Sequence, residues 1–166
     1  MREMAPVFHS LDPVFDGESR MLILGTMPSV ASREAGFYYS NPQNRFWQVL
    51  SAVFDEPLPY TKEQKERLAL SHGIALWDVL ASCEIRGSED SSIRKPVAND
   101  IAALLAKTSV TRIFTTGEAA SNFYRKLVRP STGIDAEPLP STSPAARGRY
   151  PLNTLIEAYS VLRQRP

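Results

Sequence analysis

Met21-Leu22-Ile23-Leu24-Gly25-Thr26 is a short apolar run that ends on a glycine. A run of this length, bounded by a turn residue, reads as a strand buried on both faces. A loop of Pro, Ser and Gly follows, through Ser40. The next segment predicts a helix, with Asn41 as N-cap and Pro42 as its first helical residue. Phe46, Val49, Leu50, Val53 and Phe54 then recur at helical spacing until Pro57 and Pro59 stop the pattern.

Outward from this unit the alternation repeats. Thr61–Gln64 fits a capping box for a helix that Gly73 ends, and Ile74–Val79 is a second apolar strand. Residues 84–96 are polar and read as a loop. Val97–Lys107 predicts a helix, Arg112–Gly117 a third strand, and Glu118–Leu127 a helix. Ala136–Ser141 is a short fourth strand weakened by two prolines. Pro151–Leu162 closes the chain as an amphipathic helix. Strands alternating with helices imply an α/β fold of three layers, a mostly parallel sheet covered by helices on both faces. A single domain over residues 1–166 follows from the length. Ligands of such sheets bind at the carboxyl ends of strands. That marks the loop after Thr26, the Trp77–Asp78 end of the second strand, and the Ser/Pro stretch after the fourth.

Composition narrows the class. With 43% hydrophobic and 22% charged residues the chain is an ordinary globular protein. A net charge of +1 excludes a strongly basic nucleic-acid binder but leaves room for a local basic patch, such as Arg147, Arg149, Arg163 and Arg165. Cys83 is the only cysteine, which excludes an internal disulfide and a cysteine metal cage. His9 and His72 lie far apart without ligand spacing, so no metal and no cofactor are expected. His72, just ahead of Gly73, is expected on the surface against the last helical carbonyls. No apolar run approaches the roughly 18 residues of a membrane span, and no signal-peptide pattern opens the chain. A cytoplasmic monomer is the expectation.

Gly25-Thr26-Met27-Pro28-Ser29 is not a phosphate-binding P-loop: it has neither a closing Gly-Lys-Ser/Thr nor a GxGxxG. It leads into Gly36-Phe37-Tyr38-Tyr39-Ser40-Asn41-Pro42-Gln43-Asn44-Arg45-Phe46-Trp47. Taken singly, each aromatic is best explained as core. Three in a row cannot all face one core, and side chains at a strand's carboxyl end can sandwich a flat ring such as a flipped base. Asn41 has the structural duty of an N-cap; Asn44 has no such evident duty. In Ser141-Thr142-Ser143-Pro144-Ala145-Ala146-Arg147-Gly148-Arg149 the hydroxyls and arginines suit phosphate contact, and the small residues suit close approach to DNA.

GTMPS, FYYSNPQNRFW and STSPAAR, in this order and spacing, resemble the uracil-DNA glycosylase superfamily, in particular its hypoxanthine-DNA (deoxyinosine) glycosylase branch. Further matches lie in GIALWDVLASCEIRGSEDSSI and TTGEAAS. The resemblance implies a central four-stranded parallel sheet between helices and hydrolysis of the N-glycosidic bond of a flipped, deaminated base. The implied partner is damaged DNA, duplex or single-stranded. Met27 departs from the mismatch-specific members, which carry Asn before this proline, and the Asp of the uracil-cleaving enzymes is absent from the same loop. Ser141 stands where those enzymes have a histidine. An Asn of the NPQN stretch is implied to take over: Asn44, or else Asn41, would orient the attacking water. Phe37 and Tyr39 are the stacking candidates, and Trp77 and Asp78 line the base edge. The Gly25–Ser29 backbone and Ser143 stabilise the departing base. Ser141, Ser143, Pro144, Ala145, Arg147 and Arg149 form the DNA-contacting set. Two other readings stay open: a uracil or mixed-specificity glycosylase on the same fold, and a non-catalytic DNA- or nucleotide-binding α/β module.

Overall fold

The computed structural model describes residues 4–87, 89–144 and 150–163. Its centre is a four-stranded parallel sheet in the order β3-β2-β6-β7, built from Met21–Gly25 (β2), Ile74–Asp78 (β3), Arg112–Thr116 (β6) and Ala136–Leu139 (β7). Every residue of β2 is buried. Its side chains alternate between two cores, as a pleated strand requires. Ile23 joins Leu76 and Phe114 on one face, while Leu22 and Leu24 join Ala75 and Ile113 on the other. Phe46–Val53 (α2), Lys62–Ser71 (α3) and Leu152–Tyr159 (α6) carry residues of the first core. Ile101–Leu105 (α4) and Glu118–Phe123 (α5) belong to the second, the latter widening into a π-helical turn over Tyr124–Val128. The four-strand parallel α/β core agrees with the pattern read from the sequence. Pro138 sits in β7, an edge strand, where a missing N–H costs least.

Four local expectations need correction. The helix predicted from Asn41 begins at Phe46. Asn41 Oδ1 instead accepts from Gln43 N–H at 2.9 Å, closing an Asx turn that competes with helix. Residues 84–96 are not all loop. Leu80–Ile85 (β4) and Arg94–Ala98 (β5) join Ala5–Phe8 (β1) in a second, antiparallel sheet, ordered β1-β4-β5. Val97 and Ala98 therefore belong to a strand, and the helix predicted from Val97 is shortened to α4, capped by Asp100. His72 stacks on Phe54, with ring centroids 4.0 Å apart, rather than on helical carbonyls. The Thr61–Gln64 capping box is present, and Gly73 takes φ +71° just past α3. Among the described residues no helix is long and apolar enough to cross a membrane.

Candidate active site

Parallel register brings the strand ends together. Gly25 of β2 pairs with Asp78 of β3, and β6, ending at Thr116, flanks β2 on its other side. A pocket of about 130 Å³ opens at these carboxyl ends, the scale of one nucleobase. Gly25, Thr26, Met27, Pro28 and Ser29 form one wall, and Ser141, Thr142 and Ser143 another. Tyr39 and Asn44 come from the segment between β2 and α2; Asp78 and Thr116 come from the strand ends.

Gly25 is required by what it touches. A Cβ there would stand 2.6 Å from Asp78 Oδ1. The Gly25 and Thr26 carbonyls accept from Val79 N–H (2.8 Å) and Leu80 N–H (3.2 Å), fixing the loop onto the start of β4. Ser29 caps Val30–Ala35 (α1) by accepting from Ser32 N–H at 3.1 Å. Arg33 donates to the Pro28 carbonyl at 3.0 Å, which steadies the turn of the GTMPS loop.

Asn44 joins the two motifs, which are far apart in sequence. Its Oδ1 accepts from Phe46 N–H at 2.9 Å and from Thr142 Oγ1 at 2.8 Å. Because Phe46 N–H can only donate, the oxygen end of the amide is assigned by its partners. Arg45 N–H donates in turn to the Thr142 carbonyl at 3.2 Å. Asn44 thus closes an Asx turn just ahead of α2, whose N-cap, Arg45, has no side-chain capping bond, and Asn41 does not line the pocket. No hydrogen bond among the described residues engages Asn44 Nδ2.

Tyr39 lines the pocket with one ring face against Phe46, centroids 3.8 Å apart and planes 12° from parallel. It holds φ +53°, a left-handed conformation rare for a bulky residue and maintained by its surroundings. Its hydroxyl is buried, with the Thr116 hydroxyl as its polar neighbour. Burial first, and the nearby Asp78 carboxylate second, push its phenol well above the usual range, partly offset by the Thr116 hydroxyl. Phe37 does not reach the pocket: it is buried and stacks on Trp47 at 6.0 Å. Trp77 also lies outside the lining, packed against both cores with its indole N–H buried.

Asp78 is only 4% exposed. His9 Nε2–H donates to its Oδ2 at 2.8 Å. That histidine is delivered by β1, whose continuation is fixed where His9 N–H donates to the Ala81 carbonyl at 2.7 Å. Tyr38 and Trp77 flank the imidazole, their centroids 6.2 and 6.4 Å away. Asp90, from the turn between β4 and β5, completes the rim.

Sequence reasoning missed His9, Asp90, Tyr38, Thr116 and Thr142. Thr116 had a signal, standing just before the glycine that ends the strand predicted over Arg112–Gly117. Asp90 and Thr116 also lie inside stretches that carry the resemblance, GSEDSSI and TTGEAAS. Ser141 and Ser143 line the pocket, whereas Pro144 does not. Ala145, Arg147 and Arg149 lie outside the described residues.

Known proteins resemble this chain in sequence and fold. The family model of the uracil DNA glycosylase superfamily matches residues 13–163. A protein named hypoxanthine DNA glycosylase from Methanosarcina acetivorans is 33% identical over 151 residues, covering 90% of this chain and 94% of its own. A second of that name, from Methanosarcina barkeri, is 30% identical over 136 residues, covering 81% of this chain and 85% of its own. A solution structure of a Methanosarcina acetivorans protein described as a candidate uracil DNA glycosylase superposes with a TM-score of 0.80 at 30% identity. That superposition covers 93% of this chain and 96% of the other.

Proposed function

Because this chain belongs to the uracil DNA glycosylase superfamily, we propose that it excises hypoxanthine from DNA, hydrolysing the N-glycosidic bond of a flipped deoxyinosine. The observation that carries this reading is the joining of Asn44, Asp78 and Tyr39 in one base-sized pocket at the strand ends. The names of the relatives from Methanosarcina point the same way.

The chemistry follows from the atoms present. Tyr39, which lines the pocket and rests on Phe46, is the aromatic assigned to stack on a flipped base. Asp78 Oδ1 lies at the pocket floor, while Oδ2 is held by His9. As an acceptor it suits the N1–H of hypoxanthine; adenine offers a lone pair at N1 and is repelled. This gives the enzyme a way to tell a deaminated adenine from its parent.

Cleavage develops positive charge on the sugar and negative charge on the leaving base. Backbone N–H groups of the Gly25–Ser29 loop and the Ser143 hydroxyl stabilise the base. Asn44, with its oxygen committed to Phe46 and Thr142, offers Nδ2 to the attacking water. An amide is too weak a base to take a proton, so its role is placement. Ser141 and Pro144 are assigned to DNA contact, and Ala145, Arg147 and Arg149, which lie outside the described residues, are assigned to it from the sequence alone, the arginines as phosphate partners.

The test is incubation with duplexes carrying a single deoxyinosine, a single deoxyuridine or no lesion, followed by alkaline strand cleavage. Cleavage at deoxyinosine is expected. Preferential cleavage at deoxyuridine would reassign the base, and binding with no cleavage would make the chain a non-catalytic module.

A further inference from the structure

Asp90 opens a short helical turn, Asp90–Ser92, between β4 and β5. That turn is firmly braced. Ser92 Oγ accepts from Arg86 N–H at 2.8 Å and donates to the Glu89 carbonyl at 2.6 Å, and Ile93 N–H donates to the Asp90 carbonyl at 3.3 Å. The brace presents Asp90 to the pocket that also holds Asp78 and Asn44.

The two carboxyl groups are held differently. Asp78 has His9 as its hydrogen-bonded partner. Among the described residues no ion pair engages Asp90. Its charged neighbour in the pocket is Asp78, which carries the same sign, with the Thr26 hydroxyl beside it. On β4 lies the buried thiol of Cys83, which burial pushes up, Arg33 of α1 pulls down and Asp90 pushes up by a smaller amount. The pocket phenols, Tyr38 and Tyr39, are both held neutral by burial and by Asp78. Two neighbouring carboxyl groups of which one has a cationic or donor partner favour proton retention on the other.

We propose that Asp90 is a catalytic residue, the general acid that protonates N7 of the departing 6-oxopurine. This rests on the hypoxanthine reading above. A purine leaves poorly as an anion, and N7 is the basic ring nitrogen of a 6-oxopurine nucleoside. In the step, the C1′–N9 bond breaks and its electron pair moves into the purine. The Asp90 O–H bond breaks, its proton goes to N7, and its electron pair stays on the carboxylate. The water held by Asn44 forms the new C1′–O bond and releases one proton to solvent. Asp90 is exposed as a residue at the pocket rim, while desolvation of its carboxyl first, then the Asp78 charge, raise that group to about 6, with the Thr26 hydroxyl opposing. A group titrating there is well matched to proton donation near neutral pH.

The experiment compares the full-length protein with Asp90→Asn and Asp90→Glu under single-turnover conditions as a function of pH. Substrates are duplexes with one deoxyinosine or one 7-deazadeoxyinosine, which has no N7 to protonate. For the parent on deoxyinosine, the rate is expected to be level on the acid side and to fall about tenfold per pH unit above the Asp90 titration. Asp90→Asn is expected to be about 100-fold slower on the acid side, to lose that pH-dependent limb, and to bind the duplex unchanged. Asp90→Glu should restore the limb. On the 7-deaza duplex, parent and Asp90→Asn should cleave at equal rates. An Asp90→Asn protein with the parent's rate, or with its pH limb intact, would overturn the proposal. So would an equal loss on both substrates with weakened binding, which makes Asp90 a binding residue. A parent protein that leaves deoxyinosine untouched while cleaving deoxyuridine sinks the hypoxanthine reading instead, and this inference with it.

Discussion

Replacing Asn44 by Ala separates chemistry from scaffolding. The substitution removes two hydrogen bonds, from Phe46 N–H and from Thr142 Oγ1. The first closes the Asx turn that leads into α2, worth about 1 kcal/mol. The second is a side-chain bond in a partly buried setting, also about 1 kcal/mol. Together they predict a loss of about 2 kcal/mol, which for a chain of this size lowers Tm by roughly 4–8 °C. Loss of the placed water adds a kinetic effect of roughly 10²-fold, about 2.7 kcal/mol of barrier. The assays are thermal melting and single-turnover cleavage of a deoxyinosine duplex well below the lowered Tm. Thr142→Val is the control. It deletes one of the two bonds but keeps the amide, so it should cost about 1 kcal/mol of stability and only a few-fold in rate. Asn41→Ala, which touches only an exposed Asx turn, should leave the rate unchanged. Near-parental cleavage by Asn44→Ala refutes the water-positioning role. If Thr142→Val is as slow as Asn44→Ala, the clamp rather than the amide is what the reaction needs.

Gly25→Ala should fold, since nothing in its backbone conformation requires glycine, but its methyl group must displace the Asp78 carboxylate. Cleavage slowed by more than about tenfold, read alongside a near-normal melting curve, is expected. Asp90 gives a stability prediction of definite sign. Its carboxyl is raised in the folded state from 3.8 to about 6, so folding is opposed by ionisation, and its contribution is lost as pH rises from about 4 through about 6. Asp90→Asn should therefore raise Tm at neutral pH and leave it unchanged near pH 4. Because Asp90 stands at an exposed rim, the gain should be smaller than the full shift implies. Arg147→Ala combined with Arg149→Ala should weaken binding to damaged and undamaged duplexes alike and flatten the salt dependence by about two counterions. An unchanged salt slope places the phosphate-binding surface elsewhere.

The parallel core was legible because burial on both faces leaves a mark in the sequence. Met21–Gly25 and Ile74–Asp78 are continuous apolar runs, and the Thr61–Gln64 box declares its helix locally. The antiparallel sheet left no such mark. β1 and β5 are edge strands, each carrying a proline and exposing most of their residues, so neither alternation nor apolarity stands out. The pocket divides along the same line. Residues at the ends of legible strands, Gly25 and Asp78, were found. His9 was not, because its meaning comes from a carboxylate 69 positions away, reached through a strand that was itself invisible. Phe37, Tyr38 and Tyr39 were legible as a group but not individually. Only the fold decides that Tyr39 turns to the pocket while Phe37 turns to Trp47.

The Asn44–Thr142 clamp spans 98 positions of the chain. A contact of such sequence separation has a high loop-closure cost and is satisfied only after β7 has docked beside β6. The pocket is therefore among the last features to be assembled, and catalytic competence should lag behind compaction during refolding. A nascent chain that still lacks its C-terminal quarter can form β2 and β3 but holds no clamped amide. Base excision would thus be withheld until the segment carrying Thr142 has been made and docked, a delay imposed by topology.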